Sequence, residues 1–379
     1  MAIARSAIFV TFPFAASFAV ILLISRFYSG SELAGFFLFQ AIFLPIVTLL
    51  SQVRSLISFL DMRAPAANAG LDVISVLLAI AALSLLGKEL ISAGAVALYA
   101  LSIPLVAHGQ AALASIQRRR QARRWAILPV AIAFGRVLVI WVAIKAETVE
   151  PAGPFLASVL VLVLPILLVR RIEAQDSPKT KPIALSDFGA MLTFFATGAV
   201  FFQIDKYVLA IFEAQTEIVL AGVVATLVLS PMSILFAIVY RADLASIYGS
   251  DNRDQPFRTA LFTRSATRFI TAGTGYIALL GLYWTPLTST LFPVFSGSAI
   301  WPILMGAAVI LDRIGLLTVY ISGRSDMFRR ASIAKFVLIA LTIVLMLLSL
   351  QFFDLNLTHL FAAYLISSAI WLVQVWRLR

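Results

Sequence analysis

The chain has no cysteine and only two histidines. Without cysteine it can form no disulfide bond and perform no thiol chemistry. His108 and His359 are far apart in sequence and have no carboxylate at ligand spacing, so we expect no metal site. The sequence also contains no nucleotide-binding or nucleophile motif, and we therefore expect no bound cofactor.

Charged residues are also scarce. Asp, Glu, Lys and Arg make up 12% of the chain, while 61% of its residues are hydrophobic, against a usual charged share of about 25%. The mean hydropathy is +1.01. This composition predicts an all-α polytopic membrane protein without a sizeable soluble domain. We assign the net charge of +11 to cytoplasmic loops rather than to a nucleic-acid partner.

The sequence contains apolar runs of about the length that crosses a bilayer. Twelve such runs are predicted as transmembrane helices, at residues 7–25, 33–53, 71–87, 90–115, 126–144, 152–169, 188–212, 217–240, 266–285, 298–322, 331–350 and 358–376.

The basic residues support this count. With a cytoplasmic N-terminus, all but six of the 29 Lys and Arg residues fall in inner segments or at the inner ends of spans, as the positive-inside rule requires. The six exceptions are Arg26, Lys88 and Lys145 in outer turns and Arg136, Lys206 and Arg313 within predicted spans. Both termini are therefore expected in the cytoplasm. Trp371 is the only one of six tryptophans that does not fall at a predicted span end.

The second and eighth predicted spans resemble each other. Both contain Leu-Ala-Gly near the start, a proline in the middle (Pro45 and Pro231) and an arginine at the end (Arg54 and Arg241). This match predicts an internal duplication, with an N-terminal six-helix lobe at 1–172, a cytoplasmic linker at 173–186 and a C-terminal six-helix lobe at 187–379. Because each lobe has six spans, the repeats are expected to be parallel, and the substrate site is expected between them.

Two segments carry a resemblance to a known family. DKYVLAIF at 205–212, followed by LAGVV at 220–224, and the outer loop LFPVFSGSAIWPIL at 291–304 resemble Wzx-type polysaccharide flippases. These flippases belong to the multidrug/oligosaccharidyl-lipid/polysaccharide exporter (MOP) superfamily. Pro293 stands where the family often has glycine.

The resemblance implies a two-lobed transporter that moves an undecaprenyl-diphosphate-linked oligosaccharide across a bacterial inner membrane. The lobes are expected to rock between inward-open and outward-open states. The implied partners are the lipid-linked oligosaccharide and membrane lipids. The resemblance leaves open whether a polysaccharide polymerase or other assembly proteins act with the chain.

A diphosphate cannot be buried in the membrane unless cations meet it. Arg136, Lys206 and Arg313 are therefore predicted to line a cationic substrate cavity, although Lys206 could instead snorkel to the outer interface. Arg54 and Arg241, at matching inner span ends, could form a gate or capture the diphosphate, or simply anchor the helix ends at the headgroups.

Two aspartates also fall within spans. Asp205 and Lys206 point about 100° apart on a helix, so they are not expected to bond each other, whereas Gln203 is expected on the face of Lys206. Asp312 could bind a coupling proton or Na⁺, or form a structural pair with a cation such as Arg136. Asp205 has the same two possible roles.

Two other classes of protein remain open. A cation-coupled multidrug antiporter of the same superfamily would share the twelve spans and the duplication. Such antiporters depend on carboxylates, however, whereas three basic residues and only two acidic ones lie away from the ends of the predicted spans. A membrane enzyme of polysaccharide assembly generally needs a large outer loop or paired outer carboxylates, and the outer turns here are short. We therefore expect the chain not to be an enzyme.

Overall fold

Fifteen α-helices form the part of the chain that the computed structural model describes. The described residues are 2–28, 30–59, 62–63, 68–88, 90–118, 127–146, 150–173, 181–182, 185–248, 255–292, 297–322, 325–352 and 356–378. The elements, in chain order, are α1 (Ala2–Phe27), α2 (Gly30–Phe59), β1 (Met62–Arg63), α3 (Asn68–Leu86), α4 (Ala93–Arg118), α5 (Leu128–Lys145), α6 (Ala152–Leu160), α7 (Val163–Glu173), β2 (Lys181–Pro182), α8 (Leu185–Phe201), α9 (Ile204–Ile211), α10 (Gln215–Tyr248), α11 (Gln255–Leu282), α12 (Trp284–Leu291), α13 (Ile300–Ser322), α14 (Ser325–Phe352) and α15 (Leu357–Leu378). The two-residue strands pair in parallel.

The helices confirm an all-α polytopic membrane protein. Within the described ranges, seven helices are long and apolar enough to cross a membrane, and the bent pair α8–α9 makes an eighth. Three shorter apolar helices cover Thr11–Phe27, Gly70–Leu86 and Ala152–Leu168. In this environment every backbone amide must be bonded within the protein, which is why long apolar runs become helices.

Each predicted span coincides with a helix or a helix pair. The sixth span is divided into α6 and α7, and the seventh into α8 and α9. α11 coincides with the ninth predicted span but is not among the helices that pass the length and hydropathy test. Its N-terminal half carries Arg258, Arg264 and Arg268, which lower its mean hydropathy.

The contacts divide the chain into two compact units. The N-terminal unit is Ala7–Val219, and the C-terminal unit is Leu220–Arg379 with Met1–Ser6. α8 and α9 fall in the N-terminal unit because they pack against α2. This boundary lies at the start of α10 rather than in the segment 173–186, and the lobes at 1–172 and 187–379 stay a prediction about the repeat.

The same helix pairs pack in both units. In the N-terminal unit α3 packs on α4, α4 on α6, and α5 on α6. In the C-terminal unit the corresponding helices do the same, with α11 on α13, α13 on α15, and α14 on α15. This shared pattern agrees with the duplication that the sequence predicts.

An aromatic cluster holds the centre of the N-terminal unit. The rings of Phe39 on α2 and Tyr99 on α4 stack with centroids 3.7 Å apart. The ring of Phe155 on α6 packs edge-on against Phe39 at 5.2 Å. All three residues are almost fully buried. Aromatic pairs in these geometries add to the free energy gained from burial, so the cluster ties α2, α4 and α6 together.

Candidate functional site

Asp205 and Lys206 form a buried ion pair on α9. Lys206 Nζ donates hydrogen bonds to Asp205 Oδ1 at 3.1 Å and to Oδ2 at 3.2 Å. Asp205 is fully buried and Lys206 is 2% exposed. The expectation that these neighbours do not bond was wrong. Their Cβ atoms do diverge on the helix, but the long Lys206 side chain bends back to the carboxylate, since neither charge can reach water.

A break in the helix sets the position of this pair. The segments Leu192–Phe201 and Ile204–Ile211 meet at 60°, and Gln203 lies at the junction as the residue before α9. The sequence had placed Gln203 on the same helical face as Lys206, and this expectation was wrong because Gln203 precedes the first residue of α9. Tyr207 Oη donates a hydrogen bond to the Ala41 carbonyl of α2 at 2.5 Å, which fixes α9 against α2.

Arg136 lies in the middle of the buried face of α5. The buried residues of this helix include Ile132, Ala133 and Ile140 on the same side as Arg136, which is the spacing of one helical face. Arg136 is 5% exposed, whereas Leu138 on the opposite face is 61% exposed. The predicted cavity cation therefore points into the N-terminal unit and away from lipid.

The Arg136 guanidinium has few partners. Its Nη1 donates a hydrogen bond to Ser17 Oγ on α1 at 3.0 Å, and its buried Nε has no hydrogen-bond partner in the part of the chain that the structure describes. Among the described residues, no carboxylate lies within ion-pair distance of it. An arginine that is buried in this way is costly, and an anionic ligand would offset that cost.

The C-terminal unit contains a second buried ion pair. Lys335 Nζ on α14 donates a hydrogen bond to Asp312 Oδ1 on α13, and both residues are at most 3% exposed. The sequence had suggested a structural pair of Asp312 with a cation such as Arg136. Asp312 does form such a pair, but its partner is Lys335. The sequence grouped Lys335 with the basic residues of the inner segments and not with the candidate site, whereas its side chain is 2% exposed and points into the unit.

Trp371 on α15 covers this second pair. Its ring centre lies 4.7 Å from Lys335 Nζ, and its Nε1 donates a hydrogen bond to the Asp312 backbone carbonyl at 3.3 Å. The ring can approach because residue 315 is glycine, where an added Cβ would lie 2.4 Å from Trp371 Nε1. This contact explains why Trp371 is the one tryptophan away from a predicted span end.

Arg313 lies beside the same carboxylate but is more loosely held. Its Nη1 is 3.9 Å from Asp312 Oδ2, and 21% of its side chain is exposed. The guanidinium carbon lies 5.6 Å from the centre of the Phe236 ring, and the buried Nε of Arg313 has no hydrogen-bond partner within the described ranges. Because Lys335 already neutralises Asp312, Arg313 is in effect a second cation on one carboxylate.

The side chains of two predicted site residues, Arg54 and Arg241, are outside the part of the chain that the structure describes. Arg54 falls in α2 and Arg241 in α10, and their roles stay predictions. His108 has no carboxylate at ligand spacing in the sequence, and the fold brings its Nε2 to 2.9 Å from Oδ2 of the distant Asp72 on α3.

The buried charges do not balance. Five charged side chains are buried in the described part of the chain, and they are Arg136, Asp205, Lys206, Asp312 and Lys335. Each aspartate is met by a lysine, which leaves Arg136 as the buried cation without a carboxylate. Arg313, with 21% of its side chain exposed, adds a second cation beside Asp312 in the C-terminal unit, while the equally exposed Asp72 (20%) adds a carboxylate to the N-terminal unit. Among the buried charges of the described residues, cations outnumber carboxylates by one, and this excess favours an anionic ligand.

Comparison with known proteins gives the fold. No family model and no curated protein matches the sequence. A solved structure of a multidrug resistance MATE family transporter of the MOP superfamily, in an inward-facing conformation, matches with a TM-score of 0.67 over 97% of this chain and 96% of its own, at 12% identity. An outward-facing MATE structure matches with a TM-score of 0.65 over 100% of this chain and 94% of its own, at 10% identity.

A third structure differs in its pocket. It is a MOP superfamily transporter from Pyrococcus furiosus, and it matches with a TM-score of 0.60 over 100% of this chain and 94% of its own, at 12% identity. Its binding pocket is described as having reverse polarity, which suggests a different function for that protein. At these identities the likeness establishes the fold, and this chain has the fold of MOP superfamily transporters.

Proposed function

We propose that the chain is a flippase for an anionic lipid-linked substrate, an undecaprenyl-diphosphate-linked oligosaccharide, in the bacterial inner membrane. The observation that carries this proposal is the burial of Arg136, which is 5% exposed and whose Nε has no hydrogen-bond partner among the described residues. A site that holds an unneutralised cation away from water selects for negative charge on its ligand.

The charge of the substrate class fits this interior. A diphosphate esterified at both ends carries two negative charges, and it must cross a hydrocarbon layer in which bare charges are prohibitively costly. Among the described residues, Arg136 in the N-terminal unit has no carboxylate within ion-pair distance. In the C-terminal unit, Arg313 shares the single carboxylate of Asp312 with Lys335. Each unit thus supplies one uncompensated cation among its described residues, while the polyprenyl tail would stay in lipid.

The fold supports movement by alternating access. Structures with this fold occur in both inward-facing and outward-facing conformations. The flippase cycle would present the cations to the cytoplasmic leaflet, accept the diphosphate headgroup and its glycan, and release them in the periplasmic leaflet. Both termini would lie in the cytoplasm, in agreement with the distribution of Lys and Arg.

A cation-coupled multidrug antiporter is the second candidate, because the matched MATE structures are multidrug resistance transporters. A cationic drug needs an available carboxylate. In the described part of the chain, however, both buried aspartates are bonded to lysines. The reverse pocket polarity described for the Pyrococcus furiosus transporter is a precedent for this fold serving another purpose.

A deletion strain separates the candidate functions. Loss of a surface glycan, with its undecaprenyl-linked repeat unit accumulating on the cytoplasmic leaflet, would support the flippase. An unchanged glycan with new sensitivity to cationic drugs would indicate the antiporter. Complete repeat units that reach the periplasmic leaflet but stay unpolymerised would instead indicate an enzyme of polysaccharide assembly.

A further inference from the structure

The exposed face of α11 changes from polar to apolar along the helix. α11 packs on α13 with one face, and on the other side six polar residues are exposed at the spacing of a single helical face. These six residues, which we call the polar stripe, are Thr263, Arg264, Thr267, Arg268, Thr271 and Thr274. Ile270 is the one large apolar side chain exposed among them, whereas beyond Thr274 the helix exposes Leu279 and Leu282, at 58% and 77%.

The helix at the same place in the N-terminal unit exposes an apolar face instead. α3 packs on α4 as α11 packs on α13, but its exposed side chains include Val73, Ile74, Leu77 and Leu78, each at 53–60%. This is the surface that acyl chains require, because they offer no hydrogen bonds. The fold therefore does not impose a polar stripe on α11, and a stripe with two arginines needs a polar neighbour of its own.

The polar stripe begins near the headgroups and continues towards the middle of the membrane. Trp376 is 56% exposed near the end of α15, and its ring packs on Phe262 with centroids 6.1 Å apart. An exposed tryptophan at a span end marks the membrane interface, which in the proposed topology is the cytoplasmic one. Thr274 lies 12 residues beyond Phe262, about 18 Å along the helix and more than half of the roughly 30 Å hydrocarbon core.

The charge of the polar stripe is entirely positive. α11 contains no Asp or Glu, so no carboxylate of the same helix neutralises Arg264 and Arg268, which lie one turn apart on one face. Guanidinium groups bind phosphate oxygens through paired hydrogen bonds. Two of them match the two negative charges of a diphosphate that is esterified at both ends.

We propose that the polar stripe is the route by which the diphosphate headgroup of the substrate enters from the cytoplasmic leaflet. Arg264 and Arg268 bind the diphosphate first, and the threonine hydroxyls offer hydrogen bonds further towards mid-membrane, while the polyprenyl chain stays in lipid beside α11. This inference rests on the proposed function, because a protein that moves no lipid diphosphate needs no such route. It assigns substrate uptake to α11 and not to the corresponding α3.

The test measures binding of undecaprenyl diphosphate to the purified full-length protein by native mass spectrometry. The variant R264Q/R268Q removes both charges of the polar stripe, and the matched control R329Q/R330Q removes two exposed arginines near the start of α14 in the same unit. R264Q/R268Q should lower the affinity about tenfold or more, since hydrogen bonds to charged groups are strong. The control should bind as the wild type does, and excess dioleoylphosphatidylglycerol should not displace the diphosphate.

A second measurement leaves the arginines in place. Because the chain has no cysteine, Thr271→Cys introduces a single thiol in the polar stripe. Leu77→Cys on α3, at a similar depth within its predicted span, is the matched control. In inverted membrane vesicles, the membrane-impermeant reagent 2-sulfonatoethyl methanethiosulfonate should modify the first thiol and not the second, and undecaprenyl diphosphate should slow the reaction.

Several outcomes would overturn the route. They are wild-type affinity in R264Q/R268Q, an equal loss in the control, displacement by dioleoylphosphatidylglycerol, and a Thr271→Cys thiol that reacts no faster than the Leu77→Cys thiol. Retained binding in R264Q/R268Q together with lost binding in Arg136→Ala would leave the flippase proposal standing without the route. A wild type that binds no undecaprenyl diphosphate would overturn both.

Discussion

Lys335 on α14 donates a hydrogen bond to Asp312 on α13, and both side chains are buried. The two residues are 23 positions apart in sequence, and their pairing joins two helices through opposite charges. Buried ion pairs of this kind contribute little net free energy while intact, but the loss of one partner leaves a buried charge without compensation.

The first prediction concerns this pair. Lys335→Met and Asp312→Asn should each lower the free energy of unfolding by about 3–5 kcal/mol, while the double variant should recover most of the loss because neither charge remains. Thermal unfolding of the four proteins in one detergent gives the double-mutant cycle. Additive losses in the double variant would show that the two side chains do not interact.

The second prediction concerns Gly315. A methyl group at this position would lie 2.4 Å from Trp371 Nε1, so Gly315→Ala must displace the indole ring from Lys335 and from the Asp312 carbonyl. The expected loss in stability is about 1–3 kcal/mol, typical of overpacking. Gly275→Ala on α11 is the matched control because nothing lies within 4 Å of its added Cβ. Equal melting temperatures for the two variants would contradict the close approach of Trp371.

The sequence predicted the helices well because the membrane constrains them strongly. A run of about 20 apolar residues with its backbone bonded internally has one common solution. The break at Phe202 and Gln203 was missed, since neither residue is a glycine or a proline and the apolar run continues across it. Such a bend is decided by packing against α2, which no local pattern contains.

The site was only partly predictable. Arg136 stood out because it is a lone cation in an apolar run, and the structure places it on a buried face. The Lys335–Asp312 pair was missed because it depends on which helices pack together and how far a side chain reaches. Trp371 was the available signal. A tryptophan in mid-span that does not face an interface needs a polar partner for its indole N–H, and here that partner is the carbonyl of Asp312.

The third prediction concerns Arg136. Arg136→Ala should abolish glycan export while the protein is inserted at its normal level, because the variant removes the unneutralised cation without breaking an ion pair. Arg136→Lys should retain part of the activity, since the positive charge remains but the several N–H donors of the guanidinium are replaced by one ammonium group. Complementation of a deletion strain, with membrane levels measured by immunoblot, reports both quantities. Leu138→Ala, on the lipid-facing side of α5, controls for general damage to the helix.

The last prediction concerns Arg313 and separates charge from architecture. Arg313→Ala should also abolish export at normal membrane levels, although Asp312 keeps its bond to Lys335 and the C-terminal unit should stay folded. The reason is that this variant removes the excess positive charge of the unit and leaves a neutral pair. Arg313→Lys, which keeps the positive charge, should retain part of the export, whereas the uncharged Arg313→Gln should abolish it as Arg313→Ala does. Complementation of the deletion strain by both Arg313→Ala and Arg136→Ala would refute the hypothesis that these two cations bind the anionic substrate. Loss with Arg136→Ala alone would place the recognition of the diphosphate in the N-terminal unit.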